Sequence, residues 1–79
     1  MGDVMIEVIL EVVNKKELKE VIEKLEGRGF RIVEINFSPP FSWTQSVRIK
    51  CKTEMGFSEV IETLKELGIY SYILHIKRC

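Results

Sequence analysis

The amino-acid sequence predicts an α+β two-layer sandwich in the order β-α-β-β-α-β, with an antiparallel-type sheet and two helices on one of its faces. Two observations carry this, and a third supports it. Four segments alternate apolar and polar residues with period two, two others place apolar residues at helical spacing, and the halves of the chain repeat one another. A chain of 79 residues builds one core, so residues 1–79 are read as a single domain.

In the first strand Val4, Ile6, Val8, Leu10 and Val12 share one face, and Met5, Glu7, Ile9, Glu11 and Val13 share the other. Glu7 and Glu11 interrupt the apolar run and no small-residue cleavage site follows, so the segment reads as a strand and not as a cleaved leader. Asn14 stands where a helix begins, with Glu17 three residues on. A capping box is expected there, Asn14 accepting from the backbone and Glu17 reaching back. Leu18, Val21, Ile22 and Leu25 then form the apolar stripe of a helix over 15–28, which Gly27 and Gly29 end. Arg31 to Phe37 alternates again, with Val33, Ile35 and Phe37 on one face and Ile32 on the nominally open one. Ser38-Pro39-Pro40-Phe41-Ser42 cannot continue a ladder and reads as a loop.

A third strand over about Gln45 to Lys52 points Val47, Ile49 and Cys51 inward and Arg48, Lys50 and Lys52 outward. Thr53 to Gly56 turns the chain into a second helix over 56–67, with the stripe Phe57, Val60, Ile61 and Leu64, closed by Gly68. Tyr70 to Lys77 is the fourth strand, Tyr72, Leu74 and Ile76 opposite Ile73, His75 and Lys77. Glu20-Val21-Ile22-Glu23-x-Leu25-x-x-x-Gly29 matches Glu59-Val60-Ile61-Glu62-x-Leu64-x-x-x-Gly68. This order fits the pseudo-twofold of a ferredoxin-like, split βαβ sandwich. Right-handed crossovers then give the strand order 4132, with strands 1 and 3 central and expected to be parallel.

Composition narrows the function. Lys plus Arg and Asp plus Glu each number 12, for a net charge of zero. That excludes a nucleic-acid binder working through bulk charge and does not oppose self-association. No apolar run approaches the roughly 20 residues that span a bilayer, so no membrane partner is expected. Two cysteines and one histidine are too few for a disulfide framework or a Cys/His zinc site. Cys51 reads as a core residue and Cys79 as a terminal thiol, and the compartment expected is a reducing cytoplasm. No nucleophile stands beside a base, and His75 has no sequence partner. The chain is therefore not read as an enzyme; no metal and no cofactor are expected.

Three features invite a binding role. Asn14-Lys15-Lys16-Glu17 either grips an anion through helix-terminal N–H groups and two lysines, or is an ordinary cap with solvated lysines. The basic row Arg48, Lys50 and Lys52 lacks the stacking aromatics of an RNA-recognition sheet and is read as pairing with Glu7 and Glu11. Phe37, Phe41 and Trp43 cluster around Pro39-Pro40, either as loop packing or as a contact site.

The stretch Leu10-Glu11-Val12-Val13-Asn14-Lys15-Lys16-Glu17-Leu18, followed by a helix and Gly29-Phe30-Arg31-Ile32-Val33-Glu34-Ile35, resembles an ACT domain. The family's turn usually carries a glycine where this chain has Lys15-Lys16. The resemblance implies a small regulatory module, homo-oligomeric, that binds an amino acid or other small anionic effector and regulates an enzyme. It places the effector at Val13, Asn14, Lys15, Lys16 and Glu17, beside a neighbouring subunit. Ile32, Phe41, Trp43 and Ile73 are the expected interface residues, in a dimer formed through an edge strand or the open sheet face. The alternatives are an assembly domain with no small ligand and, third, a nucleic-acid-binding module.

Overall fold

The computed structural model describes residues 5–37 and 46–78, so the expected contacts of Phe41 and Trp43, the Pro39-Pro40 loop and Cys79 lie outside the described residues. Strand β1 runs over Ile6–Val12 and is followed by a single 3₁₀ turn at Lys15–Glu17 and helix α1 at Leu18–Gly27. Strands β2 (Arg31–Phe37) and β3 (Val47–Thr53) lead to helix α2 at Phe57–Glu66. A second 3₁₀ turn, Tyr70–Tyr72, precedes strand β4 at Ile73–Arg78. The strands neighbour one another as β2-β3-β1-β4, which is 4-1-3-2 counted from the β4 edge.

All three pairings are antiparallel. The expectation of a parallel central pair is therefore wrong, and the connections explain why. A helix that crosses the sheet returns the chain in its starting direction, so β2 points as β1 does. The connection from β2 to β3 reverses it, and β3 must run against β1.

Alternation in β1 places Ile6, Val8, Leu10 and Val12 on the helix side, where all four are buried. Ile49 and Cys51 of β3 join them, and Val21 and Leu25 of α1 and Val60 and Leu64 of α2 close over the top. The core therefore lies between one sheet face and two short helices. Phe57, expected in the second stripe, is instead exposed in the first turn of α2, with the Arg78 guanidinium 5.7 Å from its ring. Thr63 occupies a buried place in that helix, its hydroxyl donating to Met55 Sδ at 3.8 Å.

The sequence repeat is a structural repeat. Phe30 N–H donates to Leu25 O at 3.0 Å, and Ile69 N–H to Leu64 O at 3.1 Å. Each bond closes a helix end through a glycine with positive φ, Gly29 at 90° and Gly68 at 75°. Phe30 and Ile69 then turn inward and seal the core. Gly27, by contrast, is simply the last residue of α1.

Apart from chain neighbours and the helix's own backbone, no atom lies within 4 Å of where a Cβ would stand at Gly27 or Gly68, so substitution there tests backbone conformation. Gly68→Ala is expected to cost about 1–2 kcal/mol, because an L-residue must adopt the left-handed region. Gly27→Ala is expected to stabilise by about 0.5–1 kcal/mol, because alanine suits a helix better. Urea unfolding followed by circular dichroism reads both, and equal effects of the same sign would contradict the assignment.

Both edge strands depart from simple alternation. In β2 the register shifts between Ile32 and Glu34, leaving Val33 as the extra residue. In β4 it shifts where Ile9 faces His75 and Leu10 faces Ile73, leaving Leu74 extra. Each is a bulge, and it turns a side chain that strict period two assigns to the open face toward the core. Ile32 and Ile73 accordingly pack against the helix-side core, while Val33 and Leu74 are exposed. The open-face placement of Ile32 and Ile73 is thus corrected. The fourth strand also begins later than expected, because Tyr70–Tyr72 winds into a turn. Bulges together with charged residues are how natural sheets blunt their edges, so they weigh against pairing through an edge strand.

Candidate functional site

The turn after β1 is built as follows. Asn14 has extended backbone and its Oδ1 accepts from Lys16 N–H at 3.0 Å, while its carbonyl accepts from Glu17 N–H at 2.9 Å. Asn14 therefore caps, as its side chain predicts. Glu17 does not complete a capping box. Its carboxylate accepts from the Tyr72 hydroxyl at 2.9 Å, tying the turn to the approach of β4. That bond also pushes the Tyr72 phenol above its ordinary value, since the proton is held by a neighbouring carboxylate.

The other turn residues face outward. Val13 is 65% exposed and Phe37, at the end of β2, is 59% exposed. The register links them: Val12 pairs with Val47, and Val47 with Phe37. Lys15 Nζ lies 5.9 Å from the Phe37 ring centroid, within range of a cation–π contact. This end of the sheet thus gathers two exposed apolar side chains and the Lys15-Lys16 pair, with the Glu17 carboxylate turned to Tyr72.

The sheet face away from the helices is tiled with charge. Glu11 pairs with Arg48 at 3.6 Å and Glu34 with Lys50 at 3.7 Å. Glu34 also accepts from the Asn36 amide. This bond first, and the Lys50 charge second, hold its carboxyl below the usual range. Glu7, its side chain only 8% exposed, pairs with Lys77 of β4 at 3.3 Å and not with the basic row of β3. His75 stands opposite Ile9 on this face and is exposed. The described part of the face presents no Phe, Tyr or Trp for base stacking.

At the other end of the sheet from the Asn14 turn, β2 begins and β3 ends. A groove of about 380 Å³ opens there, lined by Met5, Gly29, Arg31, Lys52, Glu54 and Met55 together with the edge of Thr53. Sequence reasoning missed it because nothing local joins residues 29–31 to 52–55. Only the β2–β3 register does, by setting Arg31 opposite Lys52.

Among the described residues, no group of three or more His, Cys, Asp or Glu side chains could hold a metal ion. No described helix is long and apolar enough to cross a membrane. No protein-family model matches the sequence, and no curated protein matches it.

Proposed function

We propose that this chain is a small, non-catalytic regulatory module of ACT-like, ferredoxin-like type that works as a homo-oligomer. In this reading a small anionic effector binds beside Val13, Asn14, Lys15, Lys16 and Glu17, where a second copy closes the site. The observation that carries it is the exposure of Val13 and Phe37 beside the two lysines. Exposed apolar side chains flanked by charge suit a contact between subunits, and the lysines suit an anion held within that contact. The α+β sheet and its two helices support the family resemblance at the level of fold alone.

The Glu17 carboxylate in the same turn favours a second reading, an assembly domain without a small ligand, because it opposes an anion at close range. One experiment addresses both. Light scattering at micromolar to millimolar concentration should show a dimer for the native chain and a monomer for Val13→Ser/Phe37→Ser. A thermal-shift screen with amino acids and nucleotides should then raise the melting temperature for one class of compound. Saturation at about 100 times Kd corresponds to roughly 2.7 kcal/mol of added stability. Lys15→Ala/Lys16→Ala should remove that shift, and its loss should shrink as salt rises. A dimer with no stabilising compound selects the assembly reading, and a strict monomer overturns both.

A further inference from the structure

We propose that the groove between the start of β2 and the end of β3 is a second binding site, for the oxyanion group of a small carboxylate or phosphate compound. It lies at the opposite end of the sheet from the Asn14 turn and does not depend on that turn binding anything. The argument begins with register. Arg31 stands directly opposite Lys52, and Cys51, the neighbour of Lys52, points to the core, so both cations share the helix-free face. Like charges directly opposed across a ladder destabilise it.

Elsewhere this face avoids such a clash. Arg48, Lys50 and Lys77 each have a carboxylate partner. The other cross-strand neighbour of Lys52 is Glu7, and Glu7 pairs with Lys77. Among the described residues, Arg31 and Lys52 therefore form no ion pair, although acids neutralise every other cation of the β3 row. The cavity opens at this opposed pair. An anion bound there supplies a counter-charge that the described residues do not, and the Arg31 guanidinium offers the planar fork that grips carboxylate or phosphate through two bonds.

The rest of the lining sets the class of ligand. Among the described residues, two cations and the Glu54 carboxylate leave one positive charge over, which suits a monoanionic group and opposes a polyphosphate. Met5 and Met55 supply adaptable apolar walls for a short carbon skeleton. Gly29, with φ of 90° and no Cβ, leaves its backbone open to the groove. A volume of about 380 Å³ is at the small end of ligand cavities, so the ligand is a small organic acid or phosphate and not a nucleotide.

The test is an amide-shift NMR titration at constant ionic strength with three probes: butyrate, inorganic phosphate and sodium chloride. Butyrate, phosphate or both should move the amides of Gly29, Phe30, Arg31, Lys52, Glu54 and Met55 saturably, and chloride should not. Which of the two binds identifies the source of the oxyanion. Arg31→Gln and Lys52→Gln should each weaken binding by about tenfold or more, the loss expected for one charge-assisted contact. Both variants should melt at or above the native temperature, because each removes one of two opposed cations. Glu54→Gln should tighten phosphate binding. Equal shifts with chloride, no saturable shift at these amides, or binding that survives Arg31→Gln would each overturn the site. A variant that melts well below the native chain would show that the opposed cations serve the fold and not a ligand.

Discussion

Leu64→Ala is expected to destabilise the fold by about 2–5 kcal/mol, the range for truncating a leucine that a core encloses completely. Leu64 is fully buried at the centre of the face that α2 turns to the sheet. Its carbonyl also accepts the Ile69 N–H that closes the helix. Leu64 is enclosed by the sheet and both short helices, so little structure is free to collapse into the space left behind. For a chain of this length the total stability is on the order of 4–12 kcal/mol, and the variant gives up a large part of it. Leu25, its counterpart in the sequence repeat, is equally buried in the same cluster, so Leu25→Ala should cost a similar amount. Both side chains border one core, and the double variant should depart from additivity. Glu62→Ala, on the exposed side of α2, should change stability by less than about 0.5 kcal/mol. Urea unfolding measures all four. A loss below about 1 kcal/mol for Leu64→Ala would show that the two helices do not share one core with the sheet.

Much of this fold was legible because its signals are local. Ile6, Val8, Leu10 and Val12 report a half-buried strand without knowledge of what covers them. Leu25 and Gly29, repeated as Leu64 and Gly68, report helix ends whose hydrogen bonds span five residues. What was not legible depends on partners distant in sequence. Nothing near Val33 or Leu74 announces that one residue will be skipped; each bulge is set by the neighbouring strand, and each inverts the expected face of an isoleucine. Strict alternation therefore sent Ile32 and Ile73 to the wrong side. Glu17 obeyed the spacing of a capping box, but Tyr72, 55 residues away, offered its carboxylate a hydroxyl donor. Glu7 was expected to meet the basic row of β3 and instead pairs across the other neighbour of β1. The Arg31–Lys52 opposition is of the same kind. Each residue reads as an ordinary outward cation until the register sets them side by side.

The second large effect concerns Cys51. Its side chain is buried, and the Sγ–H donates to the Val8 carbonyl at 3.6 Å. Burial, and secondarily the charge of Glu7, push the thiol up from an ordinary 9.0 to about 12. The folded chain keeps this proton at a pH where the unfolded chain has released it. The unfolded state then binds fewer protons than the folded one, and stability falls as pH rises. The contribution is intact below about pH 9 and is lost between about pH 9 and 12. The slope is about 1.4 kcal/mol per pH unit, on the order of 4 kcal/mol across the window. Tyr72 titrates in the same sense, its phenol held up by Glu17, so the native chain alone does not isolate the thiol. The difference in unfolding free energy between the native side chain and Cys51→Ala does, with Cys79→Ser in both and reductant present. The Tyr72 contribution cancels in that difference. At neutral pH it should hold the ordinary cost of removing a buried sulfur, and above about pH 9 it should shrink and then reverse sign, Cys51→Ala becoming the more stable chain. Native-state alkylation should follow the same logic, Cys51 reacting only as fast as the core opens. A difference that stays flat through this window would mean that the thiolate is tolerated where Cys51 sits, and that β3 is not sealed from water at this position.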